Sequence, residues 1–90
     1  MPQVTLRFFG FGGKASGFET RTEEVREGTS LGQLWETLRA SAARDDLLAR
    51  IDETRVTFIH NGELVSHENV HETPLKEGDT VALMVLAVGG

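Results

Sequence analysis

Alternating hydrophobic residues predict the first strand of the chain. Residues 4–9 alternate with period two, and the apolar positions on one face are Val4, Leu6 and Phe8. A glycine-rich loop at residues 10–17 follows, and residues 18–26 form a second, more polar segment. Because charged and polar side chains are tolerated at the edge of a sheet, we predict a hairpin whose second strand is an edge strand.

Apolar residues spaced three and four positions apart predict one amphipathic helix after this hairpin. The apolar stripe consists of Leu31, Leu34, Trp35, Leu38 and Ala42. Ser30 is a suitable N-cap, and Gln33 stands three residues later, where its side chain completes a capping box. We expect the helix to end near residues 43–44 and to cover one face of a sheet, with Trp35 as its largest anchor.

The second half of the chain predicts a hairpin preceded by a linker. Residues 45–54 can hold a short helical turn, and their core-facing residues are expected to be Leu47, Leu48 and Ile51. Residues 56–60 form the third predicted strand. Asn61 and Gly62 are typical of a type I′ turn, so residues 63–65 should form a short return strand.

A long apolar segment closes the chain. Residues 66–77 are interpreted as a polar connection, and residues 80–88 are apolar and β-branched enough for a buried strand. The order β-β-α-β-β-β predicts an α+β fold with one helix on one sheet face. The predicted shared core comprises Val4, Leu6, Phe8, Leu34, Trp35, Leu38, Val56, Phe58, Val81, Leu83 and Val85.

The same alternation predicts an apolar patch on the sheet face that lacks the helix. If Leu83 points inward, the pleat turns Met84 outward. The predicted patch contains Phe9, Ile59, Met84 and Leu86. A cluster of this kind beside the end of the chain is a candidate surface for binding a partner protein.

Composition excludes several classes of function. The chain has 90 residues, enough for one domain, and its net charge of -5 argues against nucleic-acid binding. It contains no cysteine, so it has no disulfide, thiolate nucleophile or cysteine metal site. The first residues lack the pattern of a signal peptide, and the apolar runs are too short to span a bilayer. We therefore expect a cytoplasmic protein without a membrane partner.

One histidine motif has to be weighed as a metal site. His67, Glu68 and His71 match the H-E-x-x-H motif of zinc peptidases. That motif needs a stable helix, a third ligand and a substrate cleft. Here Pro74 follows closely, and the residues after Thr80 are predicted to form a strand of the core. We interpret the match as chance and predict no metal site. His60, at the end of a strand, is expected to be a half-buried packing residue.

The C-terminal sequence and several earlier segments together resemble a known family. The matching segments are residues 4–9, 30–34, 61–63 and 75–83, followed by the terminal Val88, Gly89 and Gly90. In this order and spacing they resemble the ubiquitin-like sulfur carriers of the MoaD/ThiS family, which include the small subunit of molybdopterin synthase. The resemblance implies a β-grasp fold, with a mixed sheet of four to five strands and one main helix. It implies a domain at residues 1–86 and a flexible diglycine tail at residues 87–90.

The resemblance also implies a chemical role for the last residue. In this family an adenylating enzyme of the ubiquitin-activating type uses ATP to activate the C-terminal carboxylate, here that of Gly90. A persulfide donor then supplies sulfur, and a thiocarboxylate forms. The carrier has no catalytic residues and binds no cofactor itself, and in ubiquitin-like proteins the helix-free face meets the activating enzyme. The thiocarboxylate then passes its sulfur to an acceptor synthase subunit.

The destination of the sulfur remains open at this stage. Molybdenum or tungsten pterin cofactor synthesis is the leading expectation, because thiamine-type carriers are usually shorter. Many molybdopterin-type members carry a proline pair before the final Val-x-Gly-Gly, where this chain has residues 85–87 without proline. Sulfur transfer to thiamine, cysteine or another metabolite is an alternative. So is a ubiquitin-like protein modifier joined to its targets through Gly90.

Overall fold

The computed structural model describes residues 1–10, 18–42, 44 and 47–85. Five strands lie in these ranges, namely β1 (Gln3–Phe9), β2 (Phe18–Glu24), β3 (Val56–His60), β4 (Glu63–Val65) and β5 (Thr80–Val85). The helices are α1 (Leu31–Ser41) and α2 (Leu47–Arg50), with 3₁₀ turns at Glu53–Arg55 and His67–Glu72. None of the helices in the described ranges has the length and hydropathy of a membrane span.

The five strands form one mixed sheet in the order β2-β1-β5-β3-β4. β1 and β2 are antiparallel neighbours, as the predicted hairpin requires, and β2 lies at the edge. β5 is the central strand, parallel to β1 and antiparallel to β3. The last strand of the chain is therefore held on both sides, and the parallel pairing with β1 is the feature that makes the sheet mixed.

The main helix begins where the sequence predicts. Ser30 accepts a hydrogen bond from the backbone N–H of Gln33 at 3.1 Å, and the Gln33 side chain accepts one from the Ser30 N–H at 3.0 Å. This reciprocal pair satisfies two of the free donors at the start of a helix. α1 ends at Ser41 with Ala42 as its C-cap, slightly before the predicted end.

A single hydrophobic core lies between the helices and one face of the sheet. Of the predicted core residues all are buried except Val85, which is half-buried and packs against the cluster. Trp35 is 1% exposed. Leu48 and Ile51 from the linker are also buried, as predicted, whereas the side chain of Leu47 lies outside the described residues.

The connection before β5 differs from its prediction as a polar loop. Its first half is the 3₁₀ helix His67–Glu72, with Val70 fully buried, and Leu75 is only 2% exposed. Its backbone is also tied to the start of α1, because the N–H of Leu31 donates to the carbonyl of Thr73 at 2.8 Å. This segment thus covers the core on the same side of the sheet as α1 and α2.

One strand boundary differs from its prediction, and another falls outside the described residues. β2 stops at Glu24, and Val25 is buried just beyond the strand instead of within it. β5 is described as far as Val85, and the predicted continuation through residue 88 falls outside the described residues. The proposed boundary between a domain at 1–86 and a tail at 87–90 falls there as well.

Candidate docking face and reactive terminus

The last described residue of the chain ends the central strand of the sheet. Val85 pairs with Val56 of β3, and Met84 pairs with Phe9 of β1. The predicted reactive residues Val88, Gly89 and Gly90 follow by sequence but lie outside the described residues, as does Leu86. What the structure describes is the sheet that precedes these residues in the sequence, called the platform below.

The helix-free face of this platform carries side chains in two rows set by the strand pairing. In the first row Met84 lies between Phe9 on one side and Thr57 on the other. The second row, across β1, β5, β3 and β4, consists of Arg7, Ala82, Ile59 and Leu64. The strand pairing therefore brings three of the predicted patch residues together on neighbouring strands.

These three side chains are partly exposed on the face opposite α1. Phe9, Ile59 and Met84 are each half-buried, whereas their strand neighbours Phe8, Phe58 and Leu83 are buried against the helix layer. The guanidinium of Arg7 lies over the Phe9 ring, 5.5 Å from its centroid, which places a cation at one border of the patch. The surface thus combines an apolar centre with one arginine at its border.

Leu64 belongs to this surface but was not among the predicted patch residues. It is 75% exposed, and it pairs with Ile59 on the same face. The signal was present, because a two-residue turn at Asn61 and Gly62 fixes Ile59 opposite Leu64. We define the docking face as the surface formed by Phe9, Ile59, Leu64 and Met84.

A polar cluster fixes the opposite end of β5. Asp79 accepts hydrogen bonds from the Nε2 of His60 at 2.8 Å, from the side chain of Asn61 at 3.1 Å and from the N–H of Lys76 at 2.9 Å. Burial alone would raise the pKa of Asp79, but these hydrogen bonds outweigh it and hold the pKa below its ordinary value. His60 is half-buried, as predicted, and Asp79 is the partner that the sequence did not reveal.

Asn61 completes this cluster through its backbone and side chain. Its N–H donates to the carbonyl of Thr80, and its side-chain oxygen accepts from the Thr80 N–H, both at 2.8 Å. Asn61 and Gly62 have φ values of 51° and 85°, the left-handed conformation that a type I′ turn requires. The hairpin turn and the first residue of β5 are therefore fastened to each other.

The H-E-x-x-H segment has a geometry that separates its histidines. A 3₁₀ helix turns about 120° per residue, so positions i and i+4 point about 120° apart. His67 Nε2 donates to the carbonyl of Val56 at 2.7 Å, and the ring meets Phe58 edge-on. His71 lies elsewhere, beside Glu36. Within the described residues, no three His, Cys, Asp or Glu side chains are grouped closely enough to hold a metal ion.

Comparison with solved structures defines the class of protein. A ubiquitin-like protein from Caldiarchaeum subterraneum is 14% identical, with 97% of this chain and 99% of that chain covered and a TM-score of 0.57. Subunits 1 and 2 of molybdopterin-converting factor from Helicobacter pylori form a complex whose matching chain is 24% identical, with 98% and 99% covered and a TM-score of 0.63. The fold is thus the β-grasp of ubiquitin-like proteins.

The family follows from the sequence match. The ThiS family matches residues 6–90, nearly the whole chain, and this chain therefore belongs to the ThiS family. The thiamine biosynthesis protein ThiS from Geobacter metallireducens is 23% identical, with 96% of this chain and 99% of that chain covered and a TM-score of 0.56. No curated protein matches the sequence. The chain is a small carrier of the ThiS/MoaD type.

Proposed function

We propose that this chain is a cytoplasmic sulfur carrier whose reactive group is the C-terminal carboxylate of Gly90. The observation that carries the proposal is the family match, which extends through Gly89 and Gly90 at the very end of the chain. The position of β5 supports it, because the central strand of the sheet precedes these residues in the sequence by only a few positions. A glycine carboxylate has no Cβ to obstruct attack, which suits a group that several enzymes must reach.

The proposed chemistry has three steps. A partner enzyme transfers AMP from ATP to the Gly90 carboxylate, with release of pyrophosphate. The terminal sulfur of a persulfide attacks the acyl carbon and displaces AMP, which forms an acyl disulfide. A thiol then attacks the other sulfur of this disulfide, the one that belongs to the donor, which breaks the S–S bond, leaves the thiocarboxylate on Gly90 and joins the donor and the thiol in a new disulfide. The carrier contributes the carboxylate and a binding surface, while its partners contribute catalysis and ATP.

We assign the docking face the role of binding the adenylating enzyme. Its apolar centre of Phe9, Ile59 and Met84 is continuous with exposed Leu64 and lies on the face away from the helices. Partly exposed apolar side chains gathered on one face favour a protein partner over open solvent. Leu86 is proposed as a further contact, since it follows β5 directly.

Mass spectrometry of the intact protein tests the proposal. Purified chain is incubated with the adenylating enzyme for ThiS-family carriers from the same organism, ATP, a persulfide donor and a thiol. We expect the mass to rise by the difference between sulfur and oxygen, with the change located on the C-terminal peptide. An unchanged mass, under conditions in which the enzyme converts another ThiS-family carrier, would contradict the proposal.

The acceptor is proposed to be a synthase subunit for the molybdenum or tungsten pterin cofactor. The complex of the two Helicobacter pylori subunits supports an assembly of this kind for the shared fold. The thiocarboxylate form is added separately to a pterin synthase subunit and to a thiamine-pathway synthase, and loss of sulfur from Gly90 is followed in each. Transfer only in the second reaction would assign the chain to thiamine synthesis. A covalent conjugate with lysines of other proteins would instead favour a modifier.

A further inference from the structure

Gly10, the first residue after β1, approaches the end of β5 very closely. Gly10 directly follows Phe9, whose partner in the parallel ladder is Met84. A Cβ added to Gly10 would overlap the carbonyl oxygen of Val85 and lie 3.3 Å from its carbonyl carbon. These are backbone atoms at the end of β5, where Val85 is paired with Val56 of β3, so they can make room only if the backbone itself changes, and not by rotation of a flexible side chain.

The affected carbonyl occupies a particular place in the chain. It belongs to the peptide group that joins Val85 to Leu86, the unit through which the sequence passes from β5 to its C-terminal residues. Rotation of a peptide group redirects the chain that follows it. Gly10 itself is exposed, so its lack of a side chain is not explained by packing in the core.

We infer that Gly10 is a positioning residue for the reactive terminus: its missing Cβ sets the orientation of the Val85–Leu86 peptide and thereby aims Gly90 at the partner's active site. The inference rests on the proposed function and adds a residue remote from the terminus in sequence. A carrier bound at its docking face must place its carboxylate within reach of ATP, and small misplacements of a reacting group reduce rates steeply.

The chain offers a matched control for the experiment. Gly10 has a φ of +83°, so Gly10→Ala introduces backbone strain together with the overlap. Gly28 has a φ of +86°, and a Cβ there would meet no heavy atom within 4 Å. Gly28→Ala therefore introduces the same kind of strain without the overlap. Gly10→Asn forms a second pair with Gly28→Asn, since asparagine tolerates positive φ better than alanine does but still carries a Cβ.

The four variants are compared in the thiocarboxylate-forming reaction, below the unfolding temperature of each. We expect kcat to fall roughly 10- to 100-fold for both Gly10 variants relative to the Gly28 variants. The KM for the carrier should stay within about twofold, because the docking face is unchanged. The backbone carbonyl ¹³C shift of Val85, measured by NMR, should move in the Gly10 variants and not in the Gly28 variants.

The outcomes separate this inference from the function on which it rests. Equal kcat values for matched Gly10 and Gly28 variants, with the wild type active, would overturn the inference and leave the carrier function standing. A lower kcat without a change at the Val85 carbonyl would also overturn it, because the effect would then come from another part of the molecule. A wild-type chain that is never converted would overturn the proposed function, and the role of Gly10 with it.

Discussion

The indole ring of Trp35 meets the ring of Phe58 edge-on, with centroids 5.4 Å apart and planes at 85° to each other. Both side chains are almost completely buried, so this contact joins the helix to the sheet at the centre of the core. Edge-to-face geometry is favourable because the positive ring edge meets the negative ring face. It makes Trp35 the residue on which the layered structure most depends.

Trp35→Ala should therefore lower the free energy of unfolding by about 3–5 kcal/mol, through lost burial and the remaining cavity. Denaturant unfolding followed by circular dichroism measures the change. Leu64→Ala is a suitable control, since Leu64 is 75% exposed and its truncation should have little effect on stability. A loss below about 1 kcal/mol for Trp35→Ala would contradict this description of the core.

The cluster around Asp79 predicts a dependence of stability on pH. Asp79→Asn removes the charge that accepts three hydrogen bonds, and we expect a loss of about 1–3 kcal/mol at neutral pH. Because the folded-state pKa of Asp79 is lowered, its stabilisation is fully present above the ordinary aspartate value of 3.8. It is lost as the pH falls from there through the lower folded-state pKa.

The difference in stability between wild type and Asp79→Asn should consequently shrink below about pH 4. Asp52, whose pKa is lowered mainly by the backbone and side-chain hydrogen bonds of Thr54, titrates in both proteins and so cancels in this difference. Unfolding measured from neutral to acid pH checks the prediction. A difference that stays constant down to the lowest accessible pH would show that the carboxylate charge at Asp79 is not what stabilises the turn.

His67 should contribute more to stability than His71, and we expect neither histidine to bind a metal ion. His67→Ala removes the hydrogen bond to the Val56 carbonyl and should cost about 1 kcal/mol. His71 is exposed and 3.7 Å from Glu36, so His71→Ala should be nearly neutral. We expect carrier activity near normal in both variants, no stoichiometric zinc in the purified protein and no effect of a chelator on Tm. Zinc bound by both imidazoles would revive the peptidase alternative.

Local signals account for the parts of the fold that the sequence predicted well. The capping box at Ser30 and the turn at Asn61 and Gly62 depend on neighbouring residues, and both are confirmed. The parallel pairing of β1 with β5 joins residues far apart in the sequence, and no periodicity specifies it. The resemblance to a family predicted a mixed sheet, but not which two strands are parallel.

The connection before β5 shows why a polar segment can be misinterpreted. Its two large apolar side chains, Val70 and Leu75, are too few to form a periodic pattern, yet both are buried. Their burial depends on backbone hydrogen bonds to the start of α1, such as that from the Leu75 N–H to the Thr29 carbonyl. The patch on the helix-free face was predictable because alternation within each strand sufficed for Phe9, Ile59 and Met84.

Charged substitutions on the docking face should separate partner binding from folding. Leu64→Asp adds a charge at an exposed position, so it should weaken binding to the adenylating enzyme at least about tenfold while stability changes little. Ile59→Asp and Met84→Asp should weaken binding further, with some loss of stability because both side chains are half-buried. Isothermal titration calorimetry measures the affinities.

Thr37→Asp provides the matched control for this series. Thr37 is exposed on α1, in the layer opposite the docking face, and threonine and aspartate have similar helix propensities. The same added charge should leave the affinity unchanged there. If Leu64→Asp, Ile59→Asp and Met84→Asp all bind as tightly as Thr37→Asp, the adenylating enzyme must use another surface.

The terminal glycines should control activity without controlling stability. Deletion of Gly90, or addition of one residue after it, should abolish the gain of sulfur, because the reacting carboxylate is then displaced by a whole residue. Gly89→Ala should slow the reaction by adding a Cβ beside the reacting group and by disfavouring positive φ. All three variants should keep the wild-type Tm, whereas Trp35→Ala should lower activity only as far as it unfolds the domain. Intact-mass measurement and thermal unfolding on the same samples test this separation. A protein without Gly90 that still accepts sulfur would exclude the terminal carboxylate as the site of the chemistry.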